Sequence, residues 1–391
     1  MTALPADDPG HPKAPLHILQ MCTMFGVGGI SRHVLDYSAW LRARGHRVSF
    51  AGTPNAWLNA ELESDFLPLP TQKVAGEEGA SLASRLGFAA RSALDLRRWL
   101  AGNRVDLIHA HESAPGLVAR LATLGSATPL AVTYHGSEPG RVKQFGSIAR
   151  LADLVITPSH RSGADLVKVG GVSPERLKVI GLGVKTAPVP EPARVAQTRA
   201  RLLGEGGERL VVTIARITEQ KGIDILIDCV KRLIPLHPEF RFALVGDGPQ
   251  EAEAHAWAEA AGVTSHLTFV GRSAEPQLYL RAADAFLLTS RWEALPFTIA
   301  EAFQAGTPAI ATDCSGCAEL IDASVGRIVP IGDVEAICGA VTEVLTDDEA
   351  RAAMASAALV RSREARFSPD HIHAELESVY RALATRPRAR V

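Results

Sequence analysis

Short apolar runs of strand length alternate with helix-length amphipathic segments along this chain, and the whole pattern occurs twice. In the first half "LHILQMC", "HRVSFAG", "DLIHAH", "PLAVTYHG" and "ADLVITPS" are separated by segments of helical periodicity. Such alternation builds βα units around a parallel sheet. Residues 186–196, "TAPVPEPARVA", are rich in proline and lack periodic apolar positions, which marks a linker. The alternation then restarts with "RLVVTIAR", "FRFALVGDG", "HLTFVG", "ADAFLLTS" and "TPAIATD" and ends near "GRIVPIG". A chain of 391 residues exceeds one ordinary core, and 47% apolar residues are enough to bury two. The expectation is an α/β protein of two Rossmann-like, doubly wound parallel-sheet domains, at 16–185 and 197–367. Residues 1–15 carry acids and four prolines but no apolar run, and read as a disordered lead-in that is no signal peptide. From Ser368, an N-cap followed by Pro369 and helical periodicity predicts a terminal helix over 368–391.

Charge and cysteine content narrow the function. Lys+Arg 41 against Asp+Glu 43 gives a formal charge of −2, so there is no general field to draw nucleic acid, and any anion site has to be local. Five cysteines are few and odd in number, which disfavours a disulfide framework and points to a reducing cytoplasm. "CSGC" (314–317) has no second cysteine pair at zinc spacing and reads as turn residues more readily than as a redox or metal motif. No apolar run is long enough to cross a bilayer.

The stretch "RWEALPFTIAEAFQAGTP" (291–308) holds Glu293 and Glu301 eight positions apart. On one continuous helix their carboxylates would lie roughly 80° apart in azimuth and about 12 Å apart along the axis. Pro296, suited to a first helical turn, and Gly306 before Thr-Pro instead delimit a helix at about 296–305. Glu293 then falls in a strand-to-helix loop and Glu301 within the helix. The N–H groups of Leu295, Phe297 and Thr298 crowd this helix start, where the macrodipole favours an anion such as phosphate. Carboxylates accept hydrogen bonds from sugar hydroxyls, so a sugar phosphate suits both halves of the stretch. The competing reading is an acidic N-cap with a solvated second glutamate.

Other candidates also fall at carboxyl ends of strands, where open α/β sheets bind ligands. "MFGVGGISRHV" (24–34) places Gly26, Gly28 and Gly29 between a strand and a helix, either to approach phosphate closely or to pack a tight turn. Ser31 stands where a dinucleotide fingerprint has its third glycine, and no acid follows for a ribose, so a nicotinamide cofactor is not expected. In "TIARITEQKG", Arg216 and Lys221 form a diphosphate clamp if neighbouring strands bring them to residue 296, and are solvated cations otherwise. His109 and His111 of "HAH" share a strand face without a third metal ligand nearby in sequence. His135 of "TYHG" ends a strand and is either a site residue or a satisfied polar group. In the helix at 82–102, Leu82, Leu86, Leu94 and Leu100 supply an apolar face interspersed with Arg85, Arg91, Arg97 and Arg98. The ordinary reading packs that face on the sheet; the other lays it on anionic lipid.

Taken in order, "GVGGISRHV", "TYHG", "ARITEQKG", "VGDGP" and the E-x7-E of "EALPFTIAE" resemble the retaining GT-B glycosyltransferases of family four over nearly the whole chain. The resemblance implies a hexosyl-type transferase whose second domain holds a nucleotide diphosphate sugar and whose first domain holds a saccharide or lipid-linked acceptor. It also implies surface polysaccharide or glycolipid assembly, a last helix returning to the first domain, and no metal or other cofactor. By the same resemblance Glu301 holds the ribose, Glu293 the donor sugar, and Arg216 with Lys221 the diphosphate. Gly28 and Gly29 close the phosphate pocket, Gly248 lies at the donor, and His135 stands beside the donor sugar. Two departures are Ala215, where glycine is common, and the cysteines of "DCSGCAEL". The alternatives are a non-catalytic sugar-nucleotide-binding protein and a GT-B epimerase.

Overall fold

The computed structural model describes residues 14–26, 29–54, 65–76 and 80–385; residues 1–13 of the 1–15 lead-in and Gly28 lie outside them. A seven-stranded sheet is built from β1 (His17–Met24), β2 (Arg47–Thr53), β3 (Phe66–Pro68), β4 (Leu107–His111), β5 (Leu130–Thr133), β6 (Leu154–Thr157) and β7 (Leu177–Val179). Its order is β3-β2-β1-β4-β5-β6-β7, with β1 parallel to both β2 and β4. The second sheet comprises β8 (Arg209–Ile214), β9 (Phe240–Val245), β10 (Leu267–Gly271), β11 (Ala285–Leu288), β12 (Ala309–Thr312) and β13 (Gly326–Val329). Its order is β10-β9-β8-β11-β12-β13, and all five pairings are parallel. Each sheet starts at its centre and winds outward first to one side and then to the other, which is the doubly wound topology expected from the repeated alternation. The chain divides into two compact units, one formed by residues up to Val132 together with those from Glu377, the other by Thr133–Leu376.

Parallel strands covered on both faces are largely apolar. In the first unit Ile18, Leu19 and Met21 of β1 and Leu107 and Ile108 of β4 are fully buried. The end of the Pro369–Ala384 helix belongs to this core: Tyr380 stacks edge-on to Tyr37 at 5.6 Å, receives a 3.2 Å hydrogen bond from Gln20 Nε2, and is hydrogen-bonded to His109 Nδ1. His111 Nε2 lies 3.0 Å from Gln20 Oε1, so both residues of "HAH" are absorbed into one buried polar cluster. In the second unit the Ile223–Leu233 helix buries Ile223, Leu226, Ile227, Val230 and Leu233 against the sheet, an i, i+3, i+4, i+7 stripe.

The Leu82–Gly102 helix departs from the sequence expectation. Its buried side is Ala89, Ser92, Ala93 and Leu96, while Leu82, Leu86 and Leu94 are 69%, 53% and 55% exposed. Small residues at helical spacing let this helix approach its neighbours closely, and the larger leucines are left facing outward. Among the described residues no helix is long and apolar enough to cross a membrane.

Candidate active site

In the second sheet the strand order reverses between β8 and β11, which are hydrogen-bonded neighbours with Ala285 opposite Val211 and Phe286 opposite Val212. Ligands bind outside the carboxyl ends of strands at such a switch point. The loops leaving these two strands, 215–222 and 289–296, are fastened to each other. Arg291 N donates to Gln220 O (2.7 Å), Gln220 Nε2 to Trp292 O (2.9 Å) and Thr289 Oγ1 to Gly222 O (2.9 Å). Arg291 also pairs with Asp224 (2.9 Å, Nη1 to Oδ1), and this hydrogen bond holds the Asp224 carboxyl below the usual range. Gly222 has φ 60° and ψ 45°, and a Cβ there would collide with the Thr289 carbonyl. A side chain at this point would therefore be both strained and too large.

This fastening brings Lys221 to Glu293. The ammonium forms an ion pair with Glu293 Oε1, and Ser290 Oγ donates to the same oxygen at 2.6 Å. Glu293 is only 8% exposed, so its charge depends on these partners. Lys221 has three N–H donors, so donors remain for an incoming anion while one stays on the carboxylate. Arg216, just past β8, is exposed, and its side chain has no ion pair among the described residues. Its loop is held through the backbone: Ala215 N donates to Val245 O (3.0 Å) and Ile217 N to Asp247 O (2.9 Å). Gly248 serves the same loop, because a Cβ there would overlap the backbone of Ile217.

The Phe297–Ala305 helix begins at Pro296, whose own side chain supplies no cap, and ends at Gly306 in the left-handed conformation (φ 73°, ψ 30°). Leu295 and Thr298 are partly buried beside this start. Glu301 lies four residues after Phe297, on the same face, and helical side chains tilt toward the N-terminus, so it leans toward the helix mouth. Its carbonyl accepts from Gln277 Nε2 (2.8 Å). The turn after β5 reaches the same place: Gly136, at φ 90°, lies so close to the Glu293–Ala294 backbone that a Cβ would sit 2.9 Å from Ala294 N. His135 is therefore held beside the Glu293 loop.

"CSGC" underlies this loop as well. Cys314 Sγ donates to Ser290 O (2.9 Å), and a Cβ on Gly316 would overlap the Ala294 carbonyl. Cys314 and Cys317 are buried and free.

The structure thus pairs Lys221 with Glu293, sets Leu295, Phe297 and Thr298 at the adjoining helix start with Glu301 one turn on, and brings the turn of His135 and Gly136 against the Glu293–Ala294 backbone, with Arg216 and Gly248 on the neighbouring loop. Gly29 belongs to the other unit, where it is exposed and opens the Gly29–Ala43 helix. There Ser31 Oγ accepts from Gly26 N (3.1 Å) and donates to Met24 O (3.2 Å), ordering the turn through a hydroxyl. Sequence reading missed Ser290, Gln220 and the Asp224–Arg291 pair.

A family model described as glycosyl transferases group 1 matches residues 196–361, and one described as glycosyltransferase family 4 matches residues 27–187. Over 370 residues the chain is 24% identical to a phosphatidyl-myo-inositol mannosyltransferase of Mycolicibacterium smegmatis, covering 91% of each chain. It is 28% identical over 368 residues to a D-inositol 3-phosphate glycosyltransferase of Kribbella flavida, covering 85% of this chain and 86% of that one. The fold is similar to that of Anabaena HepE in complex with UDP and glucose, with a TM-score of 0.78 and 21% identity over 94% of this chain and all of the other.

Proposed function

This chain belongs to the GT-B glycosyltransferases of family four, and on that premise we propose that it moves a sugar from a nucleoside diphosphate sugar to an acceptor hydroxyl with retention of configuration. The observation that carries this reading is the convergence at the β8–β11 switch point of Lys221, the Glu293 carboxylate and the start of the Phe297–Ala305 helix. Breaking the anomeric bond leaves a diphosphate with growing negative charge. Lys221, held by Glu293, and the helix-start backbone around Phe297 and Thr298 are fixed sources of positive charge that need no reorganisation as the bond breaks, and Arg216 adds a guanidinium from the adjoining loop. Glu301 then takes the ribose hydroxyls, Glu293 the hydroxyls of the donor sugar, and His135 positions that sugar from the adjacent turn.

Glu293 is engaged by Lys221 and Ser290 on one oxygen, which suits a hydrogen-bonding role and not a covalent nucleophile. Retention follows from attack on the face that the diphosphate leaves, unlike the double displacement of typical retaining hydrolases. The positive charge in this scheme comes from the protein, so transfer needs no metal. The UDP and glucose of the similar Anabaena structure support a nucleoside diphosphate donor. The names of the mannosyltransferase and inositol phosphate relatives support a saccharide or lipid-linked acceptor in surface polysaccharide or glycolipid assembly.

Thermal unfolding in the presence of UDP- and GDP-sugars selects the donor, because a ligand that binds only the folded chain raises its midpoint. Proton NMR of the product formed from that donor then reports the anomeric configuration. Inverted product would refute retention. Protection without diphosphate release in any acceptor mixture would favour a sugar-nucleotide-binding protein, and release of an epimerised sugar would favour an epimerase.

A further inference from the structure

The residues used so far leave the carboxyl end of β4 without a role. There Glu112 has φ 78° and ψ 172°, and it is the one residue other than glycine with positive φ among the described residues. That region of backbone space is essentially restricted to glycine, and strain of this kind gathers at ligand sites. A glycine would adopt the conformation freely, yet the chain carries a long carboxylate. The place is also special in topology. The first sheet winds from β1 outward through β2 and β3 on one side and through β4 and β5 on the other, so β1 and β4 flank its switch point. The Glu112 carboxylate lies beside Thr23, near the end of β1, and is partly buried. Burial pushes the carboxyl upward from its usual range, opposed by the neighbouring Thr23. A carboxylate offers about four acceptor positions.

We propose that Glu112 holds the acceptor, its free lone pairs taking hydrogen bonds from neighbouring hydroxyls of a neutral polyol, a sugar or cyclitol ring, at the β1–β4 switch point. The inference rests on the glycosyl-transfer reading and names the chemistry and the residue on its acceptor side. A carboxylate at this place repels a phosphate, so the ring hydroxyls and not a phosphate group contact it.

The test uses the full chain and the variants Glu112→Gly and Glu112→Gln, with UDP-glucose and GDP-mannose as donors and myo-inositol, glucose and methyl α-mannoside as acceptors. Glycine relieves the backbone, so its unfolding midpoint should equal or exceed that of the unaltered chain, and donor protection against unfolding should be unchanged. Acceptor kcat/KM should fall about 10- to 100-fold, the value of a hydrogen bond to a charged group, with most of the loss in KM. Glutamine, which keeps one carbonyl acceptor, should fall less. An unchanged acceptor KM in the glycine variant overturns the proposal while leaving glycosyl transfer intact. So does a lowered midpoint with normal transfer, which would make Glu112 a residue of the fold. An unaltered chain that releases no diphosphate from either donor with any of these acceptors overturns both readings.

Discussion

Replacing Arg216 by alanine separates chemistry from folding better than any other change at this site. The side chain is exposed and has no ion pair among the described residues, and its loop is held by the backbone bonds of Ala215 and Ile217. Truncation should therefore alter stability by no more than about 0.5 kcal/mol, a midpoint shift of about 1–2 °C. If the guanidinium receives charge from the departing diphosphate, losing that donor costs about 3–4 kcal/mol in the transition state, or 10²- to 10³-fold in kcat. Lys221→Ala is a poorer probe. It leaves Glu293, 8% exposed, without its cation. Breaking a fully buried pair costs about 3–5 kcal/mol, and the 19% exposure of the Lys221 side chain reduces that toward about 2–3 kcal/mol by solvent screening. Its activity loss would thus be mixed with a folding loss. The assay is diphosphate release under saturating donor and acceptor, alongside thermal unfolding of the same preparation. A kcat for Arg216→Ala within about threefold of the unaltered chain, against the 10² expected, would refute the electrostatic reasoning.

Gly222→Ala places a Cβ at φ 60° against the Thr289 carbonyl; it should destabilise by more than about 1 kcal/mol and lower transfer by displacing Lys221, both measurable on one preparation. Burial, with a smaller contribution from His33, pulls the His109 pKa down to about 3 from 6.5. The unfolded chain therefore binds a proton below pH 6.5 that the folded chain refuses. Stability should fall on acidification from that point by about 1.4 kcal/mol per pH unit, or about 2 kcal/mol at pH 5, and urea melts of His109→Gln should lack this contribution. The exposed leucines of the Leu82–Gly102 helix, flanked by Arg91, Arg97 and Arg98, suit the surface of an anionic bilayer. Substituting Leu82, Leu86 and Leu94 together by serine should release the protein from phosphatidylglycerol vesicles in a sedimentation assay and leave its midpoint unchanged, whereas equal binding by the triple variant would dismiss this surface.

Local chemistry determined what the sequence alone could show. The doubly wound fold follows from the period of the apolar residues, and the Phe297–Ala305 helix follows from Pro296 and Gly306, which act on their own backbone. The glycine positions and the ordered charged motifs placed the candidate residues at carboxyl ends of strands for the same reason. Tertiary structure decided what depends on partners distant in the chain. Only the adjacency of β8 and β11 unites Lys221 with Glu293, 72 residues away. Likewise, Tyr380 reaches His109 across 271 positions and turns a metal-like "HAH" into a satisfied core cluster. The face that the Leu82–Gly102 helix buries was set by how closely its small residues allow neighbours to approach, which outweighed the hydrophobicity of its leucines. The conformation of Glu112 has no local sequence signal, because a glutamate enters a glycine region only when the surrounding fold holds it there.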